Sequence, residues 1–195
     1  MDATVPAVGE PKRKATYDDV LAAPEHKVAE ILDGELFLSP RPATPHAHAS
    51  SILGGELVTS FGREAGDPLR PGGWWILDEP ELHLGQDVVV PDIAGWRRER
   101  MARIPNAPWI ELAPDWLCET LSPSTAAIDR GRKLRIYAGA GVRHLWLLDP
   151  LARTLEVLAL DGDRWSIAAV DSGADVVRAE PFAALDLDLA WLWME

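Results

Sequence analysis

The chain has 195 residues, 47% of them apolar, and 31 acidic side chains against 19 lysines and arginines give it a net charge of −12. That length suffices for one domain with a core of its own, no run approaches the eighteen apolar residues of a membrane span, and the net charge argues against coating nucleic acid through a broad basic face. Cys118 is the single cysteine, so no internal disulfide can form, and together with an N-terminus that lacks the pattern of a signal peptide it predicts a cytoplasmic protein.

In chain order, residues 1–15 are rich in Pro, Ala and Lys without periodicity and are expected to form a flexible tail, followed by one domain over 16–195. Thr16-Tyr17-Asp18-Asp19 resembles a capping box opening a short helix that stops at Pro24. Two β-like runs, Lys27 to Ile31 and Glu35 to Leu38, flank Asp33-Gly34, a strong hairpin signal. After the Pro-rich turn from Pro40 to Pro45, residues His46 to Glu64 read as a helix, because Ile52, Leu53, Leu57 and Phe61 recur at helical spacing. Gly54-Gly55 works against it, since glycine costs about 1 kcal/mol inside a helix.

Trp74 to Leu77 and Glu81 to Leu84 follow as strands. Val88 to Val90 and Ile93 to Trp96 are expected to form one strand around Pro91, with an edge, bulge or break at the proline. Trp116 to Leu121 is a strand, Thr125 to Ala138 a helix ended by Gly139-Ala140-Gly141, and His144 to Leu148 a strand parallel to the first, a right-handed crossover unit. Leu155 to Leu160 and Trp165 to Val170 read as a C-terminal hairpin around Asp161-Gly162-Asp163. The fold class expected is α/β, a single domain with a mixed central sheet flanked by helices and β-hairpins near both ends.

Asp92 closes the run Val88-Val89-Val90-Pro91, and Glu119 lies in the apolar run Trp116 to Leu121. Leu117, Glu119 and Leu121 share one face of the strand, which turns a carboxylate toward apolar surroundings; a cation or a basic partner relieves that cost. Two readings stand for these acids: a shared divalent cation, or a turn cap at Asp92 and a structural salt bridge at Glu119. Lys133 lies beside the core-facing stripe of Leu134 and Tyr137, within reach of the sheet end; its other reading is an i,i+4 surface pair with Asp129. Charge is uneven: Asp149 to Glu195 holds ten acids and three bases, whereas Arg130 to Arg143 holds five bases and no acid, and Arg97 to Arg103 four bases and one acid. Positive charge thus neighbours both acids in sequence, as a nucleic-acid footprint or as ordinary solvated faces.

Pro91-Asp92, Glu119-Thr120-Leu121-Ser122-Pro123-Ser124-Thr125, Lys133, Tyr137 and Gly141 to Pro150 together resemble the Uma2 (DUF820) family of restriction-endonuclease-like proteins, a branch of the PD-(D/E)xK nuclease superfamily. Ala29 to Leu36, and Ser39-Pro40 followed by prolines and a histidine, match the family's N-terminal part, so the resemblance runs from about Tyr17 to Leu160. It implies a restriction-endonuclease-like fold and Mg²⁺- or Mn²⁺-dependent hydrolysis of DNA. Asp92, Glu119 and Glu30 would be the metal-binding acids. The lysine expected two positions after the second acid is Leu121 here, and Lys133 on the following helix is the substitute that would orient the attacking water. His46, Arg97 and Arg130 would contact phosphate or support the acids. A homodimer is expected of a nuclease that cuts both strands, with Trp191 and Trp193 as candidates for its interface. The alternative is a nuclease fold without catalysis, used in nucleic-acid binding or assembly.

Overall fold

Asp33 and Gly34 both adopt left-handed backbone, with φ of 55° and 80°, the conformation a tight two-residue hairpin demands. They join β1 (Lys27–Leu32) to β2 (Glu35–Pro40) in an antiparallel register that pairs Leu32 with Glu35. The computed structural model describes residues 13–66 and 70–193. The expected tail falls mostly on residues 1–12, outside the described residues. Its last part is tied down: Arg13 pairs with Asp19 at 2.7 Å, and the Ala15 N–H donates to the Gly34 carbonyl at 2.8 Å. Asp19 also accepts from the Thr16 N–H, fixing the start of α1 (Tyr17–Leu21).

Helix α2 (Thr44–Phe61) starts with Pro45 in its first turn and buries Ala49, Leu53, Leu57 and Phe61, one residue every fourth position. Gly54 has a reason to be there. A Cβ at that point would lie 2.9 Å from Asp78 Oδ1, so glycine lets the helix lie close over the end of β3 (Trp74–Asp78).

The run around Pro91 is not one strand. Residues before it form β5 (Asp87–Val89), which joins β4 (Leu82–Leu84) and β1 in a four-stranded sheet ordered β2-β1-β5-β4. Residues after it form β6 (Ile93–Arg97), which pairs with β3 in a different, six-stranded sheet. Proline offers no N–H to a ladder, and the chain uses that break to pass from one sheet to the other.

The larger sheet is completed by β7 (Trp116–Thr120), β8 (His144–Asp149), β9 (Thr154–Asp161) and β10 (Arg164–Ser172), in the order β10-β9-β8-β7-β6-β3. Only β7 and β8 are parallel, as the crossover pattern predicts. The connecting helix departs from regular geometry. It consists of α3 (Ala126–Ile128), a π-helical turn over Asp129–Lys133, and α4 (Leu134–Gly139). A π turn widens the helix by one residue and recurs at functional sites.

Alternation along β7 and β8 separates two cores. Trp116, Cys118, Trp146 and Leu148 pack with α2 and the C-terminal segment; Leu117, Leu145 and Leu147 pack with Ile136 and Tyr137 of α4 and with Leu82 and Val89 of the smaller sheet. Strands β11 (Val176–Val177) and β12 (Leu187–Asp188) pin the C-terminal segment on the first face. Trp193 is buried there, with its indole N–H donating to the Gly173 carbonyl, so it is core rather than a dimer surface; Trp191 is 70% exposed. Among the described residues no helix is long and apolar enough to cross a membrane.

Candidate active site

Asp92 leaves the strand break at Pro91 at the mouth of the larger sheet. Its Oδ2 accepts from the Thr120 N–H at 2.7 Å, which ties it to the end of β7. Its Oδ1 lies 3.2 Å from His46 Nε2, at the buried start of α2. One position before Thr120, Glu119 points to the opposite face. There its Oε1 accepts from the Tyr137 hydroxyl and, at 3.2 Å, from Lys133 Nζ.

Lys133 is 4% exposed and is surrounded by acids. Its Nζ lies 2.9 Å from Glu30 Oε1, 3.2 Å from Glu119 Oε1 and 3.7 Å from Asp129 Oδ1, and the Val90 carbonyl is 3.5 Å away. Glu30, in β1, also accepts from the Val90 N–H at 2.8 Å. The π turn puts Asp129 and Lys133 on the same inward side, so their pair is buried and is no surface pair. All these side chains except Tyr137 line one cleft of about 260 Å³.

Burial dominates the charge states. It pushes the Glu119 carboxyl well above the carboxylate range, opposed by the Lys133 charge and reinforced by Asp129, Asp92 and Glu30. Asp129 rises to about 6, again through burial against the pull of Lys133. Burial alone would lower Lys133, but Glu119 and Glu30 outweigh it and hold the amine charged. One ammonium among three crowded carboxylates leaves an excess of negative charge, which adds to the effect of burial in raising Glu119 and Asp129. Burial also works to lower His46, and the hydrogen bond and charge of Asp92 overcome it, leaving the imidazole above its ordinary value.

Among the described residues no three His, Cys, Asp or Glu side chains converge into a ready-made metal cage. The chemistry of the donor set nonetheless fits a hard divalent cation. Asp92 and Glu119 bring carboxylates from neighbouring strands to one cleft, and such a cation binds through one or two carboxylates, with water and substrate oxygens filling its other positions.

A family model described as "Putative restriction endonuclease", Uma2, matches residues 15–191. The chain belongs to the Uma2 family. That membership supports a nuclease function in general terms and implies contact with nucleic acid. A crystal structure of a "putative nuclease belonging to DUF820" from Anabaena variabilis is 24% identical, covers 91% of this chain and 99% of its own, and superposes with a TM-score of 0.72. The likeness shows that the Uma2 chain has the same α/β fold as that protein. No curated protein matches.

Of the residues singled out in the sequence, the fold brings Glu30, His46, Asp92, Glu119 and Lys133 together. Arg97 lies at the far end of β6 from Asp92: five residues at about 3.3 Å each carry it about 16 Å along the strand, where its guanidinium sits over Trp74. Arg130 points out of the π turn and pairs with Glu156. Neither lines the cleft. The sequence reading gave no role in the site to Asp129 or Tyr137. The signal for Asp129 was its i,i+4 spacing to Lys133, and for Tyr137 the same spacing onward from Lys133.

Proposed function

We propose that this Uma2 protein is a Mg²⁺- or Mn²⁺-dependent endonuclease that hydrolyses DNA phosphodiester bonds. The observation that carries the reading is the placement of Lys133. A buried amine on the helix, at the cleft of Asp92 and Glu119, would stand in for the strand lysine that Leu121 replaces. Asp92 and Glu119 would hold the cation, with Glu30 beside them. The cation, when bound, supplies Lewis acidity toward a phosphoryl oxygen and lowers the pKa of water.

The chain's own groups do the positioning. The Thr120 N–H and His46 orient Asp92, and Tyr137 and Lys133 fix one oxygen of Glu119, which lines the cleft. Lys133 orients the attacking water and shields negative charge that develops on the phosphate. Cutting both strands takes two such sites, so the proposal includes a homodimer. The buried Cys118 thiol, which burial holds protonated, fits a reducing cytoplasm.

The test is cleavage of supercoiled and linear DNA with Mg²⁺ or Mn²⁺. Asp92→Asn and Glu119→Gln are expected to lose activity by a factor of about 10³ or more while keeping the wild-type circular dichroism. Undiminished cleavage by both variants would sink the assignment. A second reading, binding without cleavage, is favoured by one observation, the lack of a three-ligand cage among the described residues. Calorimetric titration with Mg²⁺ and Mn²⁺ separates the two: no heat of binding and no cleavage favours the second.

A further inference from the structure

The cleft poses an electrostatic problem for an anionic strand. Glu30, Asp92, Glu119 and Asp129 line its depth, and Lys133 is already engaged by three of them. Arg97 and Arg130 lie elsewhere. Among the described lining residues, Arg41 is the one other lysine or arginine.

Arg41 follows β2 and sits between Pro40 and Pro42; Pro40 has a fixed φ and Pro42 restricts the backbone of Arg41, so the segment is constrained before any ligand arrives. Its side chain is 58% exposed at the cleft mouth. Its guanidinium is loosely held: Nη1 is 3.7 Å from Glu79 Oε2, beyond hydrogen-bond length, and Nη2 makes a long 3.4 Å contact to the Glu25 carbonyl. Glu79 is itself a non-glycine residue with φ of 44°, so the turn after β3 holds this carboxylate beside Arg41 in a disfavoured backbone state. Hydroxyls also line the cleft. Ser122 lies 2.9 Å from Ser124 and 3.0 Å from Thr125, oxygen to oxygen, and Ser39 belongs to the same lining.

We propose that Arg41, with the hydroxyls of Ser122 and Ser124, is the subsite that receives a backbone phosphate of the substrate strand beside the bond to be cut, and that Glu79 is the partner this phosphate displaces. The inference rests on the nuclease reading above. A guanidinium fork meets phosphate oxygens with two parallel hydrogen bonds, and a preset backbone lowers the ordering cost. Serine hydroxyls add neutral donors that do not repel the acids below.

The test is fluorescence anisotropy of labelled single-stranded and duplex DNA oligonucleotides across a salt series. The chain carries Glu119→Gln, so that binding is read without cleavage. Adding Arg41→Gln is expected to raise Kd about tenfold or more, and to reduce the slope of log K against log salt by about 0.7–0.9. Arg41→Lys recovers the slope and part of the affinity. Glu79→Gln tightens binding when Arg41 is present and loses most of that gain in the Arg41→Gln chain, as competition for one guanidinium requires. In the cleaving enzyme the Arg41→Gln loss falls more on KM than on kcat. An unchanged Kd and slope on Arg41→Gln, in a starting chain that binds DNA, overturns the subsite and leaves the nuclease reading intact. A chain that binds no DNA, and whose unsubstituted form cuts none, overturns both.

Discussion

Cys118 and Glu119 are neighbours on one strand and live in opposite environments. On the Cys118 face, Trp74, Trp116, Trp146 and Phe182 meet with ring centroids 4.8–5.8 Å apart, and Phe61 joins them at 4.7 Å from Phe182. On the Glu119 face, the same depth of burial encloses Lys133, Asp129, Glu30 and a tyrosine hydroxyl. The first face gains stability from apolar area and ring geometry. The second carries ionisable groups whose desolvation works against folding and is offset by mutual pairing. A strand only five residues long thus separates an aromatic core from one that also encloses ionisable groups, retained at a stability cost.

That contrast can be broken from either side. Phe182→Ala is expected to have the largest effect, about 3–5 kcal/mol lost in denaturant unfolding, because it removes the ring that three tryptophans and Phe61 share. The residual folded protein should keep its cleavage chemistry. Lys133→Met comes next, about 3 kcal/mol at neutral pH by the same measurement, since three buried carboxylates lose their counter-charge. Unlike Phe182→Ala it should abolish cleavage outright. A Lys133→Met chain as stable as the wild type and fully active would remove the distinction between the faces.

The smallest effect concerns His144, on the Trp146 face of β8. Burial lowers its pKa below the ordinary 6.5, and its Nδ1 is buried without a partner among the described residues. The charged form is therefore disfavoured in the folded state. Stability is complete above about pH 6.5 and falls as the pH drops through the lowered folded value. Replacing it in His144→Gln should flatten the melting temperature between pH 7 and pH 5. His46, raised by Asp92, and Asp129, raised to about 6 by burial, contribute with the opposite sign, so a melting temperature that rises on acidification after His144→Gln reports these two groups together with Glu119.

Local signals made much of this legible in the sequence. Asp33-Gly34 dictates its hairpin through two left-handed residues, and the parallel pairing of β7 with β8 follows from strand, helix and strand in succession. Asp92 and Glu119 were readable because each is a carboxylate in an apolar run that would leave it unpaired. What escaped depends on tertiary placement. The sheet exchange at Pro91 is invisible to periodicity, since both halves read as strand. A π turn has no residue signature, and without it Asp129 reads as a surface partner of Lys133. Charge clustering near Asp92 in sequence pointed to Arg97, but an extended strand carries neighbours away from each other, whereas Arg41, some fifty positions earlier, arrives at the cleft through the packing of the hairpin.

The exchange of sheets at Pro91 has a consequence for how this fold can be inherited. Glu30 rides on the small sheet, Asp92 and Glu119 on the large one, and Lys133 on the crossover helix between two strands of the latter. The four residues span positions 30 to 133, so no shorter contiguous stretch encodes a whole site. Recombination at any point between Glu30 and the π turn would separate at least one member of the quartet from the rest, so the cluster can pass to a new protein only with both sheets and the crossover helix together.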